Sequence, residues 1–179
     1  MGMFFSTQLN SLDDLLMLEI NDLYDAEKRI VEALPEMVQA ASSPALRLAF
    51  EQHLQETQRH VSRLEQVFVE LGKPASRQTC DAMKGLIKEG SEIVDAVGNA
   101  DVKDAALIGA AQRVEHYEMA GYGTARTFAE HLGHANVARL LQATLDEEKQ
   151  MDMHLTELAE DDVNLKAQSA VEAGNGRGV

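Results

Sequence analysis

The stretch Val114-Glu115-His116-Tyr117-Glu118 places two carboxylates three residues apart inside a long helical pattern. Read at about 100° per residue, Leu107, Ala111, Val114, Ala125 and Leu132 define one apolar stripe. Glu118 falls in the middle of that stripe and Glu115 on its flank. A charge on a buried seam is costly unless something compensates it, and a bound cation is the obvious compensation. The remaining helices are therefore read for further ligands.

Three other long helices follow from the same periodicity. The first is expected from Ser11, which with Asp14 resembles a capping box, to about Ala41. Its stripe is Leu16, Ile20, Leu23, Glu27, Val31, Leu34 and Val38, with Glu27 at the centre and Pro35 expected to kink the helix near its end. Ser43 can cap the second helix with Pro44 at its first position, and Gly72 and Pro74 close it after about Leu71. Its stripe turns His53, Thr57 and His60 inward, with Glu56 at the edge. Residues 73–100 read as a connection containing a weaker, glycine-interrupted helix over 81–97. The helix carrying residues 114–118 is expected from Asp101, as N-cap, to about Leu132, with Gly133 after it. The last long helix is expected over about 136–159, with Glu148 central on its stripe and Asp152 beside it.

Two short hairpins joined by a long connection predict an all-α four-helix bundle whose crossover contains an additional helix. The expected domain spans residues 11–165, between a flexible start (1–10) and a disordered tail (166–179). A weak internal echo agrees: at one common offset Glu27 falls on Glu118, Leu54 on Leu145, Glu56 on Glu147 and Leu64 on Leu155. Glu27, His60, Glu118 and Glu148 each lie about 15–17 residues, roughly 22–26 Å, from the nearer interhelical turn. If the turns stand at comparable heights, these residues meet in one layer.

Composition supports this reading and narrows the function. The 179 residues are 45% hydrophobic but 4% aromatic, with no Trp, as suits long helices. A formal charge of −14 disfavours nucleic acid and anionic membranes as partners, because phosphates call for Lys and Arg. Cys80 is the only cysteine, which rules out an intrachain disulfide and a thiolate cluster. It fits a reducing compartment, and a cytoplasmic location is expected. The start, Met1-Gly2-Met3-Phe4-Phe5-Ser6, does not read as a secretory signal. Gly2 and Ser6 meet a loose myristoylation pattern that short stretches often match by chance. No apolar run approaches membrane-spanning length.

The candidate metal ligands are Glu27, Glu56, His60, Glu115, Glu118, Glu148 and Asp152. Carboxylates with imidazole suit iron or manganese, or zinc, and suit calcium poorly. Each has a plainer reading alone. A Glu near a stripe commonly snorkels to the surface, and an inward His53 or His60 commonly hydrogen-bonds within a core. Tyr24, Tyr117 and Tyr122 read as packing residues, the eight methionines as core filler, and His116, His131, His134 and His154 as surface or cap residues. Acids from four helices in one layer change the balance, because uncompensated they would repel strongly at low dielectric.

Specific motifs carry a resemblance. Leu-Tyr-Asp-Ala-Glu-Lys (23–28), Ala-Ala-Ser-Ser-Pro (40–44), His-Leu-Gln-Glu-Thr-Gln-Arg-His (53–60), Thr-Cys-Asp-Ala-Met (79–83), Val-Glu-His-Tyr-Glu (114–118) and Thr-Leu-Asp-Glu-Glu-Lys (144–149) resemble the YciE/YciF ferritin-like family, over about residues 12–160. The Glu115/Glu118 pair is more distantly similar to the third-helix carboxylates of rubrerythrins. The resemblance implies a ferritin-like bundle, a di-iron site, a role in bacterial stress response and a homodimer. The chain departs from the usual di-iron pattern in two places. Thr57 stands where Glu-x-x-His would need Glu, and Met151 stands where a His would follow Glu148, with Asp152 as a substitute. The echo favours Glu147 where the seam favours Glu148. Three functions follow: a di-iron protein reacting Fe(II) with O2 or peroxide, a metal-binding protein without turnover, or a metal-free structural or interaction bundle. A mini-ferritin protecting DNA fits less well, since the chain lacks a basic tail.

Overall fold

The computed structural model describes residues 9–76 and 78–175, and every regular element among them is helical. The elements are α1 (Leu12–Ala40), α2 (Pro44–Glu70), α3 (Asp81–Val94), α4 (Ala100–His131), α5 (Ala135–Leu158), a π-helical turn (Ala159–Val163) and α6 (Asn164–Asn175). No helix among the described residues is long and apolar enough to cross a membrane.

The helix ends are set by local chemistry. Ser11 Oγ accepts from the Asp14 amide at 3.1 Å, and the Asp14 carboxylate accepts from the Asn10 amide at 2.9 Å. Ser43 caps α2 with Pro44 in its first turn. α1 runs through Pro35 to Ala40. α2 and α4 end alike. Gly72 at φ +64 and Gly133 at φ +78 take the left-handed conformation that favours glycine. The amides that follow close back onto the helix, Lys73 to the Phe68 carbonyl and His134 to the Ala129 carbonyl, both at 2.9 Å. Asn99, not Asp101, caps α4: its side-chain oxygen accepts from the Asp101 and Val102 amides at 2.9 and 3.1 Å. Asp101 sits in the first turn, where its charge favours the helix dipole.

The chain departs from expectation at its C-terminal end. Residues 164–175, most of the expected tail, continue the helical path after the π-helical turn, and Val163 is buried in the core. The expected flexible start and the end of the tail fall largely outside the described residues.

α1 packs on α2 and α4 on α5, with α1 also against α4 and α2 against α5. The two hairpin turns stand at opposite ends of the bundle. Leu16, Ile20, Val67, Phe68, Ala129 and Val137 share one core cluster, and Leu34, Ala41, Leu46, Leu107 and Leu155 share the other. The α4–α5 turn therefore closes the first half and the α1–α2 turn the second. The expectation of turns at comparable heights is corrected, yet the polar layer still forms. A ligand about 15 residues from either end of a roughly 30-residue helix is at mid-height whichever end is counted from. Because the turns oppose each other, the chain must travel back between α2 and α4, and α3 lies on that return path, against α1 and α4.

Candidate metal centre

Between the two core clusters lie four carboxylates and two imidazoles, all at most 2% exposed: Glu27 from α1, His53 and His60 from α2, Glu115 and Glu118 from α4, and Glu148 from α5. Their donor atoms form two groups. His53, Glu115, Glu118 and Glu148 can place one atom each within 4.8 Å of one another, and so can Glu27, His60 and Glu148. Glu148 is common to both.

The bonding within the centre is incomplete. His53 Nε2 is 3.1 Å from Glu115 Oε1, and His60 Nδ1 is 2.9 Å from Glu148 Oε1 and 3.5 Å from Glu27 Oε1. These contacts lack hydrogen-bond alignment, so both carboxylate oxygens of Glu115 and Glu148, one each of Glu27 and Glu118, both His53 nitrogens and His60 Nδ1 have no hydrogen-bond partner. Buried polar atoms are otherwise nearly always satisfied. None of the four carboxylates is paired with a lysine or arginine among the described residues. The orphaned oxygens and nitrogens, converging from four helices, fit a pair of borderline-hard cations.

Electrostatics shows the strain. Burial pushes the Glu118 carboxyl well above its usual range, and the neighbouring Glu27 and Glu148 push it further. Burial raises Glu115 to about 7 against the pull of His53. Burial alone would lower both imidazoles. The Glu115 charge outweighs it at His53, held at about 9, and Glu148 and Glu27 outweigh it at His60, held at about 11. Burial would raise Glu148 too, but His60 prevails and its carboxyl is lowered. At His53, His60 and Glu118 the surroundings thus favour the protonated form.

Supporting groups hold the ligands from outside. His60 Nε2 faces Glu147 Oε2 at 2.7 Å, and Arg63 grips Glu147 with two N–H donors at 2.9 and 3.1 Å. This carboxylate behind the ring fixes the imidazole with Nδ1 inward. The Tyr122 hydroxyl donates to Glu27 Oε1. Tyr117 donates to Asp22 and lies 3.1 Å from the Cys80 thiol. Tyr122 and Tyr117 therefore do more than pack.

Five of the seven candidate ligands, Glu27, His60, Glu115, Glu118 and Glu148, come together; Glu56 and Asp152 do not. Glu56 points about 60° away from His53 around α2, is 30% exposed and pairs with Arg59 at 3.5 Å. Asp152 stands one turn beyond Glu148, about 6 Å along α5. It meets Gln112 and His116 at 3.1 and 3.3 Å on the outer side of α4. His53 takes the place expected of Glu56. Between Glu147 and Glu148, the seam residue faces inward and its neighbour becomes the outer support.

Comparisons with known proteins agree with this architecture. A family profile described as "Domain of unknown function (DUF892)" matches residues 11–168. Protein YciF of Escherichia coli (strain K12) is 43% identical over 162 residues, covering 90% of this chain and 98% of that protein. The crystal structure of the E. coli stress protein YciF superposes with a TM-score of 0.84 over 87% of this chain and 99% of that one. YcfI from Rhodopseudomonas palustris, described as a candidate structural protein, is 42% identical, with a TM-score of 0.82 over 86% and 98% of the two chains. A protein from Xanthomonas campestris pv. campestris, 22% identical with a TM-score of 0.70 over 89% and 99%, shares the fold.

Proposed function

The chain belongs to the family described as a domain of unknown function, DUF892, and on that premise we propose that it is a ferritin-like stress protein whose mid-bundle cluster holds two iron ions. The observation that carries this reading is the set of unpartnered carboxylate oxygens and imidazole nitrogens buried between the two core halves. The name of its relative as a stress protein supports the physiological setting. The resemblance noted above adds a homodimer, and the single cysteine a cytoplasmic location, as parts of the proposal. Manganese or zinc fits the same donor chemistry.

In this reading Glu148 would serve both ligand groups, since it belongs to each. With it, His53, Glu115 and Glu118 would hold one ion, and Glu27 and His60 the other. Bound as Fe(II), the pair would supply two electrons, which with two protons take dioxygen to hydrogen peroxide or hydrogen peroxide to two waters. The surrounding residues orient the donors. Glu147 and Arg63 hold the His60 ring, and Tyr122 holds one oxygen of Glu27. Metal binding would compete with protons on His53 and His60, so affinity is expected to rise with pH.

A second reading has its own support. The close His53–Glu115 and His60–Glu148 contacts let charges partly compensate without metal, which suits a structural bundle. Metal analysis of tag-free protein purified without chelator separates the two. Anaerobic Fe(II) titration is expected to reach two irons per chain, and admission of air or peroxide to produce a ferric absorption band. Glu148→Gln is expected to abolish stoichiometric binding, and Glu56→Gln and Asp152→Asn to leave it unchanged. Absence of tight metal in the wild-type chain would make the bundle structural.

A further inference from the structure

The half of the bundle that contains α3 is not filled. A cavity of about 40 Å³ lies between α1, α3 and α4. Ile30, Leu34 and Met37 line it from α1, Leu86, Ile87 and Val94 from α3, and Ala111 and Val114 from α4. Polar groups stand at its ends: Glu36 and Ser91 outside, His53 and Glu115 inside. The cavity thus runs from the surface to one side of the proposed metal centre. His53 is 2% exposed, and neither of its ring nitrogens has a hydrogen-bond partner.

Gly90 marks the cavity as something other than a packing defect. It is buried in the interior of α3, yet a Cβ built there meets no atom within 4 Å. A helix-interior glycine costs stability relative to alanine, and close approach of another element usually explains it. Here nothing approaches. The missing side chain leaves open space, and a larger residue would fill it.

The lining decides what can occupy that space. A cavity needs about 10–15 Å³ to hold one water and polar partners to keep it; this one has room for a small molecule, and apart from Glu36, Ser91, His53 and Glu115 its lining is apolar. Apolar cavities of this kind stay dry and take up apolar guests such as xenon. Hydrogen peroxide would lose its hydrogen bonds on entering. Dioxygen has none to lose. We infer that the α1–α3–α4 cavity is the entry route and holding site for dioxygen on its way to His53 and Glu115, with α3 as its roof. The inference rests on the metal reading above and chooses dioxygen over peroxide as the oxidant that uses this path.

The experiment pairs a structural readout with a kinetic one. Crystals of the metal-free protein pressurised with xenon are expected to show the gas between Gly90 and Val114, and crystals of Gly90→Leu to show none. Iron stoichiometry is expected to be the same in both proteins. For Fe(II)-loaded Gly90→Leu, the second-order rate constant for dioxygen is expected to fall tenfold or more, and that for hydrogen peroxide to stay within twofold. If the leucine variant does not fold, Gly90→Val fills part of the same space and is expected to give a smaller change of the same kind. Absence of xenon from the wild-type cavity, an unchanged dioxygen rate in a variant that excludes xenon, or equal slowing of both oxidants would each overturn the inference while leaving the iron reading standing. A wild-type chain that binds no iron would overturn that reading, and the route with it, whatever xenon does.

Discussion

Two glycines, one in each half of the bundle, show how differently the halves are built. At Gly121 on α4, an added Cβ would come within 2.9 Å of Leu23 Cδ2, in the half closed by the α4–α5 turn. There α1 and α4 approach closely, and a side chain at this position would require the buried Leu23 to move. At Gly90, in the half that α3 joins, the same atom would meet empty space. The closed half carries Phe68 edge-on to Tyr24, with ring centroids 5.4 Å apart. The other half has a buried core of its own, including Phe50, Met83 and Leu107, but keeps a cavity lined in part by the half-buried Leu86 and Ile87. One side of the carboxylate layer is closely packed at Gly121, and the other keeps open space beside His53 and Glu115.

The largest effect that would break this contrast is a core deletion. Phe68→Ala is expected to cost the metal-free protein about 3–5 kcal/mol, read as a lower urea midpoint. Leu86→Ala, beside space that is already empty, is expected to cost about 1 kcal/mol. Equal losses would mean that the two halves are packed alike.

The next effect concerns the layer between them. Glu115 at about 7, His53 at about 9, His60 at about 11 and the raised Glu118 all bind protons more tightly folded than unfolded. Stability from such groups is fully present below their unfolded values and is lost as pH rises through the folded ones. Glu148 and Glu147 are lowered; their contribution is lost only on acidification below about pH 4.5, outside this window. The melting temperature of the metal-free protein is therefore expected to fall from pH 6 to pH 9. Bound iron is expected to flatten that slope by replacing the protons. A metal-free protein that stabilises over the same range would contradict the electrostatic account.

The smallest effect sharpens the comparison most. Gly90→Ala is expected to stabilise by up to about 1 kcal/mol through helix propensity. Gly121→Ala is expected to destabilise by about 1–3 kcal/mol through overpacking against Leu23. Opposite signs for one chemical change at two helix-interior glycines, measured by urea denaturation, would separate the halves.

Helical periodicity made most of the fold legible, because each long helix presents an uninterrupted stripe and a chemically explicit stop. Gly72 and Gly133 were readable as the residues after α2 and α4, and both take the positive φ that ends them. The opposite heights of the two turns were not readable, since a stripe reports direction around a helix and not the sense in which neighbouring helices run. The helix beyond Val163 was missed because its residues show little amphipathic contrast. Within the centre, the direction of the stripe was the sound guide. It selected Glu148 over Glu147, and applied to α2 it points to His53 and past Glu56. The usual di-iron ligand spacing points there to Glu56 instead, which pairs with Arg59. The hydroxyl of Tyr122 on Glu27 left no trace in the sequence, because an aromatic on a stripe satisfies the packing pattern whether or not its O–H has a task.

One contact at the far end of the molecule bears on all of this. The buried Asp104 of α4 accepts from the backbone amides of Ser42 and Ser43, at 2.8 and 2.7 Å, in the turn between α1 and α2. A carboxylate of one hairpin thus serves as the clasp of the other, and separating the hairpins would break both of these hydrogen bonds. The chain is in effect a two-leaved book with one hinge and one latch, and its acidic centre exists only while the book is shut.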